Sequence, residues 1–176
     1  MSEESAPSQT SGGPAFATFR IVVHMDAGHI TPARRVIADI ARSIGLHDEV
    51  ASRLALAAHE LLENAVKYTL DQQRQVLLRL SIITGQKARV TVCNVSNRAI
   101  YQRMRRRLSR LNRSQDIAAL YQSLIEKSIV RKAGSGLGLA RIRAEADMKL
   151  FCAFAGDMLS VRAEVTTGAW QCQSKS

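Results

Sequence analysis

Within the segment His59–Thr69 (HELLENAVKYT) an acid, an amide and an ammonium stand at i, i+4 and i+7: Glu60, Asn64 and Lys67. On a helix that spacing sets the three along one stripe, since residues three and four apart are surface neighbours. Some seventy residues later the chain reads Gly134-Ser135-Gly136-Leu137-Gly138-Leu139, a glycine loop opening a second apparent helix. Such a loop lets backbone N–H groups approach phosphate oxygens at a helix N-terminus. The two together point to a magnesium–nucleotide site built from separated segments. Taken singly, each has a plainer reading. The first suits an amphipathic helix with Leu54, Ala58, Leu61, Leu62, Ala65 and Val66 inward, the second a glycine turn before a helix. Both, in this order with a basic stretch between, favour a nucleotide-binding fold.

The elements that must hold these residues follow from periodicity. Phe16–Met25 alternates as a strand, with Phe19, Ile21 and Val23 on one side. Thr31-Pro32 predicts a helix start, Thr as N-cap and Pro in the first turn, with an end near Ser43 before Gly45. Asp48–Thr69 reads as one long helix. Gln75–Thr84 and Ala88–Cys93 alternate as a hairpin around Gly85, and Ala99–Lys127 as a charged helix. Leu139–Asp147 is the helix after the glycine loop, and Lys149–Ala155 pairs with Met158–Val165 across Gly156-Asp157. This order implies an α+β fold, helices against one face of a mixed or antiparallel sheet.

Composition sets bounds. The chain has 176 residues, 46% of them hydrophobic, which suits one globular domain with a real core. Residues 1–15 are rich in Ser, Glu, Gly and Pro and are expected to be a disordered tail, with the domain at 16–167 and a short tail at 168–176. No basic-then-apolar leader and no membrane-length apolar run are present, so a cytoplasmic location is expected. Cys93, Cys152 and Cys172 have no metal-ligand spacing and are expected to be reduced packing residues. His59-Glu60 lacks the second histidine of a zinc-protease helix, because Glu63 stands in its place. The glycine loop has neither a P-loop ending nor dinucleotide spacing.

The net charge of +10 is uneven: seven arginines (98, 103, 105, 106, 107, 110 and 113) and no acid occupy residues 98–113. Ile100, Met104, Leu108 and Leu111 give that segment one apolar stripe. Two readings fit the residues themselves: a solvated basic face, or a phosphate-binding face for nucleic acid or membrane. Aromatic interleaving for base stacking is sparse.

His59–Thr69 resembles the N-box of the GHKL ATPases, the superfamily of histidine kinases, gyrase-type ATPases and Hsp90, and Gly134–Leu139 resembles their second glycine box. The resemblance spans most of residues 16–167 and implies a Bergerat-type two-layer α+β sandwich with a mixed, mostly antiparallel sheet. It implies ATP and Mg²⁺ as cofactors, Asn64 as the metal ligand, Glu60 as catalytic base or orienter of the nucleophile, and Lys67 near the phosphates. It further implies phosphate contact from Gly134, Ser135, Gly136, Leu137, Gly138 and Leu139. Where the first glycine box reads Asp-x-Gly-x-Gly, this chain has Asn94-Val95-Ser96-Asn97-Arg98, so Asn94 takes the position of the adenine acceptor. The basic helix falls where these proteins place a lid, and the resemblance thus implies a third reading for it, a lid over the nucleotide or a partner surface. The length resembles stand-alone anti-sigma-factor and switch-protein kinases, and the stretch Tyr121–Leu124 resembles the SiaB-type subgroup. The implied activity is phosphorylation of Ser or Thr on a STAS-domain partner, with a homodimer allowed for and no membrane contact. Two alternatives stay open: a degenerate ATPase fold that sequesters a partner without chemistry, and, ranked below it, a nucleic-acid-binding regulator.

Overall fold

A computed structural model describes residues 16–24, 29–71, 75–83, 86–131 and 137–167. The described residues form five strands and five helices in the order β1 (Phe16–His24), α1 (Ile30–Ser43), α2 (Asp48–Tyr68), β2 (Gln75–Ile83), β3 (Lys87–Val95), α3 (Arg98–Arg113), α4 (Ile117–Arg131), α5 (Leu137–Ala144), β4 (Lys149–Ala155) and β5 (Met158–Thr166). The strands form one sheet in the order β1-β2-β3-β5-β4. All four pairings are antiparallel, so the parallel pair that a mixed sheet would allow is not found among the described strands.

Period-two patterning explains the two layers. Val76, Leu78, Leu80 and Ile82 on β2, Ala88, Val90 and Val92 on β3, and Leu159, Val161, Ala163 and Val165 on β5 are all buried. Their alternates face the other way and are partly exposed. Helix α2 lies across β2, β3 and β5 on the buried side, and α3 and α5 cover β4. Leu54, Leu61 and Leu62 of α2 are essentially inaccessible, which is the expected inward stripe. On the opposite face Glu164, with its side chain only 10% exposed, sits between Lys87 (3.0 Å) and Arg89 (2.7 Å). Burial pushes its carboxyl up, but the bonds from Lys87 and Arg89 outweigh this and hold it below the usual carboxylate range.

Several boundaries differ from those read in the sequence. Helix α1 begins at Ile30 with His29 at its N-cap and no side-chain cap, so Thr31 lies inside the first turn. The capping histidine that does work is His47, whose Nδ1 accepts from Glu49 N at 3.3 Å and opens α2. The basic stretch is two helices rather than one. Ser114 adopts an extended backbone, and the Asp116 carboxylate accepts from Ala119 N at 2.8 Å, so an Asp cap restarts the chain as α4. The last helix starts two residues earlier than expected and ends at Ala144, before Asp147 with φ 45°. Gly156 has φ 59° while Asp157 is not in the positive region, the pattern of a type II′ hairpin turn.

At the sheet edge, Asn112 of α3 donates to Leu150 O at 2.5 Å and accepts from Leu150 N at 3.2 Å. Its amide thus stands in for a neighbouring strand and covers the exposed edge of β4 at that residue. Cys93 and Cys152 are free thiols, each raised in pKa by burial, consistent with packing residues; Cys172 lies outside the described residues.

Candidate functional site

Helix α2 carries Glu60 to the layer interface because the residues around it, Leu61, Leu62 and Ala57, must bury. The carboxylate goes in with them: Glu60 is 6% exposed. A buried carboxylate needs partners. Arg141, on the outer side of α5, supplies one, with its terminal nitrogen 3.2 Å from Glu60 Oε1. The same guanidinium donates from Nε to Glu145 Oε2 at 2.8 Å, and Glu145 Oε1 accepts from Tyr121 OH of α4 at 3.1 Å. The other carboxylate oxygen lies against Gly138. A Cβ there would stand 3.1 Å from Glu60 Cδ and well inside contact with Oε2. A side chain at position 138 would therefore displace the Glu60 carboxylate from where it lies. Burial, reinforced by the like charge of Glu63, raises the Glu60 pKa, while Arg141 opposes the rise.

One turn on, Asn64 donates from Nδ2 to the Glu60 carbonyl at 2.6 Å. That bond turns the amide so that Oδ1 is left as an acceptor. Asn94, near the end of β3, is 2% exposed, donates to Val95 O at 3.1 Å, and stands across a narrow space from α2. Asn64, Ala65 and Tyr68 line that space from α2, Asn94 and Leu159 from the sheet, and Met104 from α3. Only about 10 Å³ remains free there, roughly one water's worth. An adjoining cavity of about 220 Å³ shares Tyr68 and Met104 and adds Ile100, Arg103 and Arg107. Burial lowers the pKa of Arg107. Lys67 is exposed near the end of α2, its ammonium 5.8 Å from the Tyr68 ring centre.

The expected residues are thus only partly gathered. Glu60 and Gly138 meet directly, and Asn64 and Asn94 line one space. Leu137 and Leu139 lie in the first turn of α5, Leu139 with its side chain in the core, where only its backbone can face a ligand. Gly134, Ser135 and Gly136 lie outside the described residues. The side chains that sequence reasoning missed are Arg141, Met104 and Tyr68. Arg141 stood three residues after Gly138 and four before Glu145, a spacing that marks a helix-surface ion pair but not its third partner on α2. Met104 was read as part of an apolar stripe, which it is; that the stripe abuts Asn94 needed the fold.

Helix α3 has four buried residues inward, Ile100, Met104, Leu108 and Leu111. Among the described residues no carboxylate pairs with any of its seven arginines, although Arg42, Arg53, Arg89, Arg141, Arg143 and Arg162 elsewhere each have an acid. Arg98 sits in a first turn that holds no acid, against the helix dipole; only Arg110 and Arg113, in the last turn, are favoured by it. Like-charged neighbours three and four apart each cost a few tenths of a kcal/mol, so this face is held by its apolar stripe against its own charge.

Residues 23–148 match the family model of the histidine kinase-like ATPase domain. The chain belongs to that family. A solved structure described as the SiaB–SiaC complex from Pseudomonas aeruginosa contains a chain of similar fold, with a TM-score of 0.63 at 14% identity, covering 84% of this chain and 89% of that one. No curated protein matches by sequence. In the described residues no helix is long and apolar enough to cross a membrane.

Proposed function

We propose that this chain is an ATP-dependent protein serine/threonine kinase of a bacterial, cytoplasmic partner-switching system, acting on a small STAS-domain partner. The observation that carries the reading is the contact of Glu60 with Gly138. It brings the acid of the N-box against the first turn of the helix that follows the glycine box, and nothing in core packing calls for a carboxylate there. Family membership supports nucleotide binding. The similarity to a chain from the SiaB–SiaC complex supports partner switching, since that chain was solved in complex with another protein.

The donor set suits magnesium and a triphosphate. Asn64 keeps an oxygen free while its nitrogen is tied to Glu60 O, and Mg²⁺ characteristically takes one or two protein oxygens alongside phosphates. The ion, when bound, neutralises charge on the triphosphate; Asn64 Oδ1 would hold it. Asn94 offers a buried amide to the base, and the start of α5 offers backbone donors. Glu60 would accept the proton of the partner's hydroxyl as that oxygen bonds to the γ-phosphorus. The bond from that phosphorus to the β-bridging oxygen breaks, and ADP leaves with the electron pair. Lys67, exposed at the rim, would meet the phosphates only by swinging off Tyr68. Of the α3 arginines, Arg103 and Arg107 line the cavity beside Tyr68 and Met104, and the basic face of the helix suits an acidic partner surface. The space beside Asn94, which Met104 helps to line, is only about 10 Å³, and that favours one alternative: a fold that retains the partner surface and has lost chemistry.

Transfer decides between them. Incubated with Mg-ATP and the chain, a candidate STAS-domain protein should gain the mass of one phosphoryl group at a single Ser or Thr. Binding of the partner without any gain, under conditions where ATP also binds, would leave the sequestering module as the function.

A further inference from the structure

All six lysines and arginines of the five strands, Arg20, Arg79, Lys87, Arg89, Lys149 and Arg162, stand on the face of the sheet turned away from the helices. Glu164 is the only acid in those strands, and Lys87 and Arg89 already hold it. Register gathers three of the cations into one row. Arg20 lies opposite Arg79, Arg79 opposite Thr91, Thr91 opposite Arg162, and Arg162 opposite Phe151. Like charges directly opposite one another weaken a sheet. Neither Arg20 nor Arg79 has an acidic partner among the described residues, and Nε of Arg79 and of Arg162 is buried without a hydrogen-bond partner. Arg162 has some company, with its guanidinium 4.6 Å from the Phe151 ring centre and Nε 3.9 Å from Glu164. The row as a whole costs stability, and the strands themselves supply no acid to offset it.

Apolar side chains sit beside the row. Of the six large apolar residues exposed among the described residues, three are on this face: Val22, Phe151 and Met158. Val22 is 64% exposed, and Leu77, opposite it, continues the patch. We propose that the open face of the sheet is a second protein-docking surface, for a partner that presents carboxylates among apolar side chains. The proposed nucleotide site lies in the helix layer, so the two surfaces are on opposite sides of the sheet and both can be occupied at once. The surface does not rest on the kinase reading.

Charge selects the occupant. A second copy would bring arginine row against arginine row, with the one acid of the face already taken. A phosphate backbone would satisfy the arginines but leave Val22, Leu77 and Met158 without a role, and the described aromatic ring of this face, Phe151, already carries Arg162. Arginine beside exposed apolar and aromatic side chains is what protein interfaces favour. Five strands abreast span roughly 20 Å by 25 Å, of the order of the ~800 Å² that a standard interface takes from each partner.

The experiment titrates the ¹⁵N-labelled full chain with a capped peptide of repeating Glu-Glu-Val, with its Lys-Lys-Val counterpart, and with single-stranded oligo(dT). The acidic peptide should shift the amide resonances of Leu77, Arg79, Thr91 and Arg162, and its affinity should fall with added salt. Affinity should drop at least tenfold in Arg20→Gln/Arg79→Gln and stay at the parent value in Arg34→Gln/Arg35→Gln, which removes the same charge from α1. Arg20→Gln/Arg79→Gln should unfold at the parent's denaturant midpoint or above it, because it relieves the opposed charges. No shifts in the strands would overturn the proposal, as would an equal loss in the α1 variant. A lower unfolding midpoint in Arg20→Gln/Arg79→Gln would assign the row to the fold's own support. Tighter binding of oligo(dT) than of the peptide at these residues would make the face a nucleic-acid surface, and a parent dimer dissolved by Val22→Glu in sedimentation would make it a contact between copies; either result contradicts the proposal.

Discussion

Glu60→Gln should lower the rate of phosphoryl transfer by about 10²–10⁴-fold, the usual contribution of a positioned general base, while Mg-ATP still binds. Glutamine keeps the shape and can still lie against Gly138, so the loss isolates proton acceptance. Gly138→Ala should reach a comparable loss by another route. The new methyl would fall on Oε2 and 3.1 Å from Cδ of Glu60, and the carboxylate, being the flexible end, must leave. Its departure breaks the 3.2 Å contact with Arg141 and strands an acid at the layer interface. Overpacking of this kind costs about 1–3 kcal/mol. Shortening the acid in the double variant Glu60→Asp/Gly138→Ala should recover much of that stability, measured by denaturant unfolding. Single-turnover transfer reads the chemistry. Parent-like rates in Glu60→Gln would reduce Glu60 to an interfacial ion pair.

Met104→Ala should destabilise the chain by about 2–5 kcal/mol, because Met104 is 5% exposed and its removal leaves a cavity under α3. The same change should improve affinity for Mg-ATP. Met104 is among the side chains that narrow the space beside Asn94 and Tyr68 to about 10 Å³, too little for a purine, and a ligand that must wait for a wider minor conformer binds more weakly by the fraction competent. The two effects oppose one another and are separable: denaturant unfolding without ligand reads the first, and the ligand-dependent recovery of stability reads the second. Lost stability with no gain in affinity would place the base elsewhere than beside Asn94.

Much of the architecture was legible because its signals are periodic. Strands β2, β3 and β5 alternate cleanly enough for register to follow, and α2 carries an inward stripe of leucine and alanine between Val50 and Ala65. Glu60 and Asn64 were legible as a stripe for the same reason. Less legible was anything that depends on two helices meeting. Arg141 reaches Glu60 across 81 residues, and no local pattern marks a guanidinium that serves an acid on another helix. The break between α3 and α4 was hidden by charge: Ser114 and Asp116 read as two more polar residues in a polar run, although each is a capping type. Helix α1 also starts two residues ahead of the Thr-Pro signal, with His29 rather than Thr31 at its N-cap. Met104 shows the limit most plainly. An apolar stripe says that a residue is buried, and only the fold says against what.

The central claim, that α2 and α5 together form a magnesium-dependent nucleotide site, is tested most directly by calorimetric titration of the full chain with ATP. The account predicts saturable binding at one site in the presence of Mg²⁺, weakened in its absence and weakened likewise in Asn64→Ala, whose lost amide oxygen is the proposed ligand. No heat of binding and no change in melting temperature at millimolar Mg-ATP would contradict it.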